Sequence, residues 1–275
     1  MTNPQYVIDD VEIFVEGNGP QTIVMIHGWP DTYRLWDDAV QGLKDQYCCV
    51  RFTLPGFDTG KLARPTSMAR MTALFSQIVE AASPGQPVTL LLHDWGCMFG
   101  YEFAARHPDQ VSRIVGVDIG DHNSGQYLRS LPSKAKWQIF AYQFFLALSW
   151  KLGTVSPALA DSMTRWMARS MRCRTAPASI GWQMNYPYAM QWFGVASGFR
   201  GAAKVNPHCP MLYIYGLRKP FMFQSDLWLE QIASRPGCAV QSFPTGHWVM
   251  VHQPVQFLDC IKRWLAESSQ PVTLR

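Results

Sequence analysis

The chain has 275 residues and a formal net charge of +4; 48% of its residues are hydrophobic and 16% are charged. This composition excludes a disordered chain and suffices for one large α/β domain or for such a domain with an insertion. No run of like charges is long enough for a nucleic-acid-binding arm, and no segment has the roughly 18 uninterrupted apolar residues of a membrane span. We therefore expect neither a nucleic-acid partner nor a transmembrane segment.

The seven cysteines are scattered along the chain, and no two of them have the CxxC spacing of a zinc site. An odd number of cysteines without such spacing argues against a disulfide framework and favours a reducing compartment. The first ten residues contain no basic segment followed by an apolar run, so we expect no signal peptide. Together these features predict a cytoplasmic protein.

Short runs rich in Val and Ile alternate with helical patterns along most of the chain. In chain order, the predicted elements are a strand at 11–15, a strand at 22–26, a helix at 33–44, a strand at 48–52, a helix at 67–82, a strand at 88–92, a helix at 97–106, a strand at 113–117, strands at 211–215 and 239–243, and a helix at 255–266. Such alternation is typical of a mostly parallel central sheet flanked by helices.

The alternation is interrupted by a segment, 121–204, in which no strand is evident. Helical patterns cover 133–152, 157–172 and 178–199, and the segment contains 14 aromatic residues, ten Lys or Arg and two Asp or Glu. An aromatic, basic and helical insertion in an α/β core predicts a cap over a functional site. We therefore expect an α/β core at 1–120 and 205–275 and a helical cap at 121–204.

A candidate nucleophile, Asp94, follows the predicted strand at 88–92 and precedes a helical pattern that begins after Gly96. A sharp turn from strand to helix lifts its central side chain out of the sheet and leaves backbone N–H groups nearby. A carboxylate in that position attacks an electrophilic sp³ carbon and forms an alkyl ester that water must then cleave. The alternative is that Asp94 only caps the following helix.

Three short motifs, His-Asp-Trp-Gly at 93–96, His-Gly-Trp-Pro at 27–30 and Gly-His at 246–247, together resemble one branch of a known superfamily. This is the branch of the α/β-hydrolase superfamily that uses an Asp nucleophile, and it includes epoxide hydrolases and haloalkane or haloacetate dehalogenases. The resemblance implies an α/β-hydrolase fold with a helical cap. It implies Asp94 as the nucleophile and His247 as the base that activates water.

The same resemblance implies an oxyanion hole formed by the backbone N–H groups of Trp29 and Trp95, with His27 as a buried, hydrogen-bonded residue of the turn. Many members place the acid that orients the catalytic His after the strand preceding it, but Lys219 occupies that position here. The other position used in the family is the end of the strand after the elbow helix. There the chain has Asp118, with Asp121 as the fallback.

The leaving group distinguishes the two activities within this branch. Epoxide hydrolases protonate the ring oxygen with two cap tyrosines, and Tyr142, Tyr186 and Tyr188 are the candidates here. Haloalkane dehalogenases bind halide with the indole that follows the nucleophile, here Trp95, and with a second donor. That donor is the residue at position 29, which is Trp29 here, or a cap indole, for which Trp137 and Trp192 are the candidates.

We favour hydrolysis of an epoxide to a vicinal diol, with haloalkane dehalogenation as the alternative. No metal and no organic cofactor is expected, and the expected partner is a small apolar or amphipathic substrate, with a homodimer as a possibility. The basic cap raises a further hypothesis, that its positive charge attracts a substrate with a distant anionic group. The alternative is that the basic residues only form the solvated outer faces of the cap helices.

Two non-enzymatic interpretations stay open. The first is a ligand-binding pseudoenzyme, which the Lys at position 219 would fit. The second is a membrane-surface protein, because the segment 139–152 is very apolar, although a pocket wall or a dimer interface would explain that segment more simply.

Overall fold

The computed structural model describes residues 3–267, whose strands form a single sheet in the order β1-β2-β4-β3-β5-β6-β7-β8. The strands of this sheet are β1 (Tyr6–Ile8), β2 (Val11–Glu16), β3 (Thr22–Ile26), β4 (Cys48–Phe52), β5 (Val88–His93), β6 (Val111–Val117), β7 (Met211–Gly216) and β8 (Ala239–Phe243). β2 pairs antiparallel with β1 and with β4, and all pairings from β4 to β8 are parallel. The predicted mostly parallel sheet is confirmed.

Helices flank the sheet on both faces. The α-helices of the described residues, including those of the segment 121–204, are α1 (Asp37–Leu43), α2 (Met68–Ala82), α3 (Trp95–Arg106), α4 (Gly125–Ser130), α5 (Ser133–Gly153), α6 (Pro157–Ser170), α7 (Tyr186–Phe193), α8 (Asp226–Ala233), α9 (Val249–His252) and α10 (Pro254–Glu267).

The two faces of the sheet carry two separate hydrophobic cores, because successive side chains of a strand point to opposite sides. On β3, Val24 and Ile26 join the core that contains α2 and α3, whereas Ile23 and Met25 join the core that contains α1 and α10. All five residues of β3 and all six of β5 are buried. This explains why these strands are nearly continuous apolar runs rather than alternating patterns.

The predicted elements differ from the observed ones mainly where a 3₁₀ turn, a proline or a glycine interrupts a helical pattern. The single helix predicted at 178–199 is wrong: two 3₁₀ turns, Pro177–Ser179 and Trp182–Asn185, precede α7. Pro187 lies in the first turn of α7, and Gly194, with a φ of 66°, ends that helix in the left-handed region. The predicted helix at 33–44 likewise begins as a 3₁₀ turn, Tyr33–Trp36.

Helices α4 to α7 lie between β6 and β7, in the segment predicted as the cap, and within the described residues this segment contains no strand. The terminal residues 1–2 and 268–275, which belong to the predicted core, lie outside the described residues. Across the described part of the chain, no helix is both long enough and apolar enough to cross a membrane.

One buried amide, that of Asn185, links helices α5 and α6 to the turn after β3. Its Oδ1 accepts a hydrogen bond from the indole N–H of Trp29 at 2.8 Å. Its Nδ2 donates to Thr164 Oγ1 of α6 at 2.7 Å and to Ser149 Oγ of α5 at 3.2 Å. Asn185, Ser149 and Thr164 have no exposed surface, so water cannot replace a lost partner.

We expect Asn185→Leu to lower the free energy of unfolding by about 3 kcal/mol, because it leaves three buried polar groups short of a partner. Urea unfolding followed by circular dichroism measures the loss as a lower midpoint. Gln191→Leu is the matched control, since Gln191 is an exposed amide on α7, and we expect it to change stability by less than about 0.5 kcal/mol. Equal losses in the two variants would contradict the role assigned to Asn185.

Candidate active site

The turn between β5 and α3 holds Asp94 at the carboxyl edge of the sheet with φ 51° and ψ −122°. Two glycines make this strained turn possible. A Cβ on Gly28 would lie 2.4 Å from Asp94 Oδ2, and a Cβ on Gly96 would lie 2.3 Å from the carbonyl oxygen of Ile26. The backbone therefore approaches the carboxylate more closely than any side chain would permit.

The two carboxylate oxygens of Asp94 have different surroundings. Oδ2 accepts a hydrogen bond from the backbone N–H of Trp29 at 2.7 Å, whereas Oδ1 lies 3.6 Å from Nε2 of His247. Burial would raise the pKa of Asp94, but the hydrogen bond and the charge of His247 outweigh burial and hold that pKa below its ordinary value. Asp94 is therefore an ionised carboxylate with one oxygen held by an amide and the other facing His247.

His247 contacts a second carboxylate on its other ring nitrogen. Its Nδ1 lies 2.5 Å from Oδ2 of Asp118, so Nδ1–H donates to Asp118 and Nε2 faces Asp94. Burial disfavours the imidazolium, but the charge of Asp118, its hydrogen bond and then Asp94 raise the pKa of His247 to about 9. The backbone of His247 is fixed as well, because its carbonyl accepts from Nε2 of His93 at 3.3 Å.

Asp118 itself is completely buried at the end of β6, where its φ is 71°. Its Oδ1 accepts from the backbone N–H of Gly216 at 2.9 Å and forms a short ion pair with Nζ of Lys219. Burial would raise the pKa of Asp118, but the charges of Lys219 and His247 hold it below its ordinary value. Lys219 thus binds the carboxylate that contacts His247.

The fallback acid, Asp121, is not brought to His247. Its carboxylate accepts hydrogen bonds from the backbone N–H and the hydroxyl of Ser225, and from the hydroxyl of Ser124. These bonds tie the start of the segment 121–204 to the loop before α8.

The nucleophile candidate lies where two cavities meet. The larger has a volume of about 1010 Å³ and the smaller about 580 Å³. Asp94, Tyr142, Tyr188 and Phe223 line both of them. His247, Met167, Phe221, Arg172 and Arg218 line only the larger cavity, whereas Trp95, Met98, Ile139, Phe140 and Phe199 line only the smaller.

The structure brings two of the three candidate tyrosines to these cavities. The rings of Tyr142 and Tyr188 make an edge-to-face contact at 6.1 Å, and burial raises the pKa of both phenols, which are therefore neutral donors. Tyr186 is fully buried against Phe57 and lines neither cavity. Among the described residues the hydroxyl of Tyr186 has no hydrogen-bond partner.

The candidate indoles, like the tyrosines, do not all lie at the cavities. Trp95 lines the smaller cavity, and its buried N–H forms no hydrogen bond of normal geometry with the described residues. The N–H of Trp29 is already bonded to Asn185. Trp192 lies at the edge of the smaller cavity, and Trp137 is 69% exposed outside both cavity linings.

Three polar residues support the site without contacting its cavities. His27 accepts from the backbone N–H of Leu54 and bonds the carbonyl of Gly28, and burial lowers its pKa to about 4, so it is neutral. Burial likewise lowers the pKa of His93 to about 3. Asp31 accepts from the indole N–H of Trp248 at 2.9 Å and from the hydroxyl of Thr175.

The supporting roles of His93, Asp31 and Lys219 are not among the predictions from the sequence. His93 is the first residue of one recognised motif and Asp31 follows another, and this position was the available signal for both. The ion pair of Lys219 had no local signal, because its partner is 101 positions away in the chain.

Within residues 3–267, no group of three or more His, Cys, Asp or Glu side chains is placed to hold a metal ion. Asp94, His247, Lys219, Tyr142 and Tyr188 line the larger cavity, and the carboxylate of Asp118 lies behind them against His247 and Lys219. Such a set could supply a nucleophile, a base with an orienting acid and proton donors.

Residues 21–172, more than half of the chain, match the family model for the alpha/beta hydrolase fold. The chain belongs to this family, and the predicted fold class is confirmed. The crystal structure of Bacillus megaterium epoxide hydrolase in complex with an inhibitor superposes with a TM-score of 0.69 at 16% sequence identity, over 93% of this chain and 96% of that one.

Two curated relatives are similar over shorter stretches. The chain is 36% identical to the probable oxidoreductase EphD of Mycobacterium tuberculosis over 110 residues, which are 38% of this chain and 18% of that protein. It is 28% identical to the cis-3-alkyl-4-alkyloxetan-2-one decarboxylase of Xanthomonas campestris over 178 residues, which are 61% of this chain and 56% of the relative. The chain therefore spans less than two thirds of the length of these relatives.

The charges around His247 lead to a prediction of two opposite changes in its pKa. Asp94→Ala removes a carboxylate beside Nε2, so we expect the pKa of His247 to fall from about 9 by about one to three pH units. Lys219→Met removes a cation beside Asp118, so the pKa of His247 should rise. An NMR pH titration of the ring protons, assigned by means of His247→Gln, measures both changes. Shifts in the same direction would contradict this electrostatic account.

Proposed function

We propose that the protein hydrolyses an epoxide to a vicinal diol through a covalent alkyl ester on Asp94. The observation that carries this proposal is the asymmetric carboxylate of Asp94. Oδ2 is held by the backbone N–H of Trp29, whereas Oδ1 is the nucleophilic oxygen that faces His247, and the residue lies in a cavity that Tyr142 and Tyr188 also line.

In the first half of the reaction, Oδ1 of Asp94 attacks one ring carbon and forms the ester C–O bond. The C–O bond between that carbon and the ring oxygen breaks, and its electron pair stays on the oxygen. That oxygen takes a proton from Tyr142 or Tyr188, whose neutral hydroxyl groups bind it beforehand. A low pKa keeps Asp94 ionised for this attack.

In the second half, the charge of Asp94 is gone, so the pKa of His247 falls. Its Nε2 passes its proton to the tyrosinate left by ring opening and becomes free to act as a base. His247 takes a proton from water, and the hydroxide attacks Cγ of the ester. Negative charge then develops on Oδ2, which already lies 2.7 Å from the N–H of Trp29. Collapse breaks the bond between Cγ and Oδ1, and the leaving alkoxide takes the proton of the acid formed on Cγ, which releases the diol and the Asp94 carboxylate. The proton taken from water stays on His247 and restores its charged resting form.

Dehalogenation is the weaker alternative because it needs two weak N–H donors aimed at one halide ion. Trp95 has a buried N–H that forms no hydrogen bond of normal geometry with the described residues, which supplies one donor. The indole of Trp29 is bonded to Asn185, Trp137 is exposed outside both cavities, and Trp192 lines only the smaller cavity, where it is 36% exposed. The balance of available donors therefore favours a leaving oxygen over a leaving halide.

A specific observation favours a second candidate, decarboxylation of a β-lactone with two alkyl substituents. The relative from Xanthomonas campestris carries this activity in its name, and a ring with chains on adjacent carbons would direct one chain into each of the two cavities that meet at Asp94. Oδ1 would attack the ring carbon that carries the ring oxygen and open the ring to a carboxylate. Loss of CO₂ would then form the alkene and expel Asp94 without any water.

The test of function is incubation of the purified protein with a cis-disubstituted epoxide, a cis-disubstituted β-lactone and a haloalkane. Diol, alkene with CO₂, and free halide are quantified separately. We expect diol formation that Asp94→Ala abolishes. Alkene with CO₂ instead of diol would favour the second candidate, halide alone would favour dehalogenation, and a lack of all three products would favour a pseudoenzyme.

A stalled ester should distinguish the two halves of the proposed mechanism. We expect His247→Gln to accumulate the alkyl ester, because alkylation needs only the Asp94 carboxylate whereas hydrolysis needs the base. Intact-protein mass spectrometry should show an increase equal to the mass of the epoxide. Asp94→Ala is the control and should show no increase. Normal turnover by His247→Gln would contradict the mechanism.

The tyrosines offer a matched set of variants that each remove a single oxygen. Tyr142→Phe and Tyr188→Phe should each lower kcat/KM for the epoxide by about 100-fold, the usual contribution of a general acid. Tyr186→Phe should leave kcat/KM unchanged, because that buried hydroxyl has no hydrogen-bond partner in the described part of the chain and lines neither cavity. A large loss of kcat/KM in Tyr186→Phe alone would overturn the assignment.

A further inference from the structure

The outer surface of helices α5 to α7 exposes an unusual number of large apolar side chains. Trp137 is 69% exposed, Trp166 57% and Trp192 36%. We use the term cap aromatic face for the surface formed by Trp137, Phe140, Phe144, Leu148, Trp166 and Trp192. Isolated exposed apolar residues are normal on proteins, but a contiguous patch marks an interaction surface.

The cap aromatic face is contiguous. Trp137, Phe144 and Leu148 recur along one side of α5 at spacings of seven and four residues. Ring contacts at 5.1 Å and 6.0 Å join Phe140 and Phe144 to Trp192 of α7. Trp166 of α6 adjoins the face through a ring contact at 5.5 Å with the next residue of α5, Phe145.

Basic side chains surround this face. Lys134 and Lys136 are exposed near the start of α5, Lys151 is exposed near its end, and Arg169 is exposed on α6. The segment 121–204 has only two acidic residues against ten basic ones. Asp121 is buried, and the other acid, Asp161, is paired with Arg165, so neither offsets the positive charge of the face.

The face also adjoins an opening of the smaller cavity. Lys136, Ile139, Phe140 and Trp192 line that cavity, which extends inward to Asp94. An apolar compound held at the cap aromatic face would therefore be adjacent to an apolar route to the nucleophile.

We propose that the cap aromatic face binds the surface of a membrane that contains anionic lipid. Tryptophan at the level of the headgroups, with Lys and Arg around it, is the composition of proteins that lie in this interface. Lysine and arginine near an anionic surface add an electrostatic attraction that salt screens. If the proposed function holds, a water-insoluble epoxide dissolved in the lipid enters the smaller cavity from this face.

A second copy of the chain is the competing occupant, and charge disfavours it. Two identical cap aromatic faces would bring two basic segments together with no exposed unpaired acid of the segment 121–204 to oppose them. An anionic bilayer supplies both the apolar layer and the opposite charge.

Flotation with lipid vesicles tests the proposal without any substrate. The full chain is mixed with vesicles of phosphatidylcholine alone or with about 30 mol% phosphatidylglycerol, the anionic fraction that sets the surface charge. We expect flotation with the anionic vesicles, little with the neutral ones, and loss of most binding at high salt. Failure to float with anionic vesicles at low salt would overturn the proposal, whatever the enzymatic activity.

Variants test whether the cap aromatic face is the surface that binds the vesicles. Trp137→Ser with Trp166→Ser should weaken vesicle binding at least about tenfold, because two exposed indoles outside the cavity linings are removed. Leu62→Ser is the control, since Leu62 is 92% exposed outside the segment 121–204. Lys134→Glu with Lys136→Glu should remove the preference for phosphatidylglycerol. Equal binding by the tryptophan pair and the wild type would contradict the proposal.

Light scattering after size-exclusion chromatography distinguishes a face that binds lipid from a face that binds a second copy of the chain. A monomer that binds anionic vesicles supports the proposal. A dimer that the tryptophan pair converts to a monomer, with no vesicle binding by the wild type, would assign the face to a second copy and overturn it.

Discussion

The arrangement of the site depends on the buried carboxylate of Asp118, which has no exposed surface and must be paired within the protein. A charge in such a place is tolerated only when opposite charges and hydrogen bonds compensate its lost hydration. Lys219, the N–H of Gly216 and His247 provide that compensation, and they come from the end of β7 and the loops after β7 and β8. The need to pair one anion therefore fixes the loops that carry the imidazole.

The four charged groups of the site alternate in sign, from Lys219 through Asp118 and His247 to Asp94. In such a row each charge is stabilised by the opposite charges beside it. Removal of the charge at one end therefore changes the pKa of the neighbouring group. Esterification of Asp94 would be such a removal. The same groups would then favour an ionised nucleophile before the ester forms and a neutral imidazole after it.

Local patterns determine most of the fold, which is why the sequence predicted it. Buried parallel strands such as β3 are short apolar runs, and the turn around Asp94 follows from a strand, a tight turn and a helix in immediate succession. The predicted roles of Asp94, Asp118 and His247 stay predictions, although their side chains lie together. The sequence could not predict which residues far apart in the chain contact each other. Two such contacts are the ion pair between Lys219 and Asp118 and the packing of Tyr186 in the core instead of the cavity. The helical periodicity of 178–199 predicted one helix, but Gly181 precedes a 3₁₀ turn and Pro187 lies in the first turn of a new helix, α7.

The hydrogen bonds of Asn185 also have a consequence for protein engineering. Trp29 binds Asp94 through its backbone N–H, and its indole N–H is bonded to Asn185 of the segment 121–204. A replacement of this segment by that of another family member would leave the indole without its acceptor unless the new segment carried an equivalent one. Chimeras that exchange the segment must therefore keep the amide and its two hydroxyl partners.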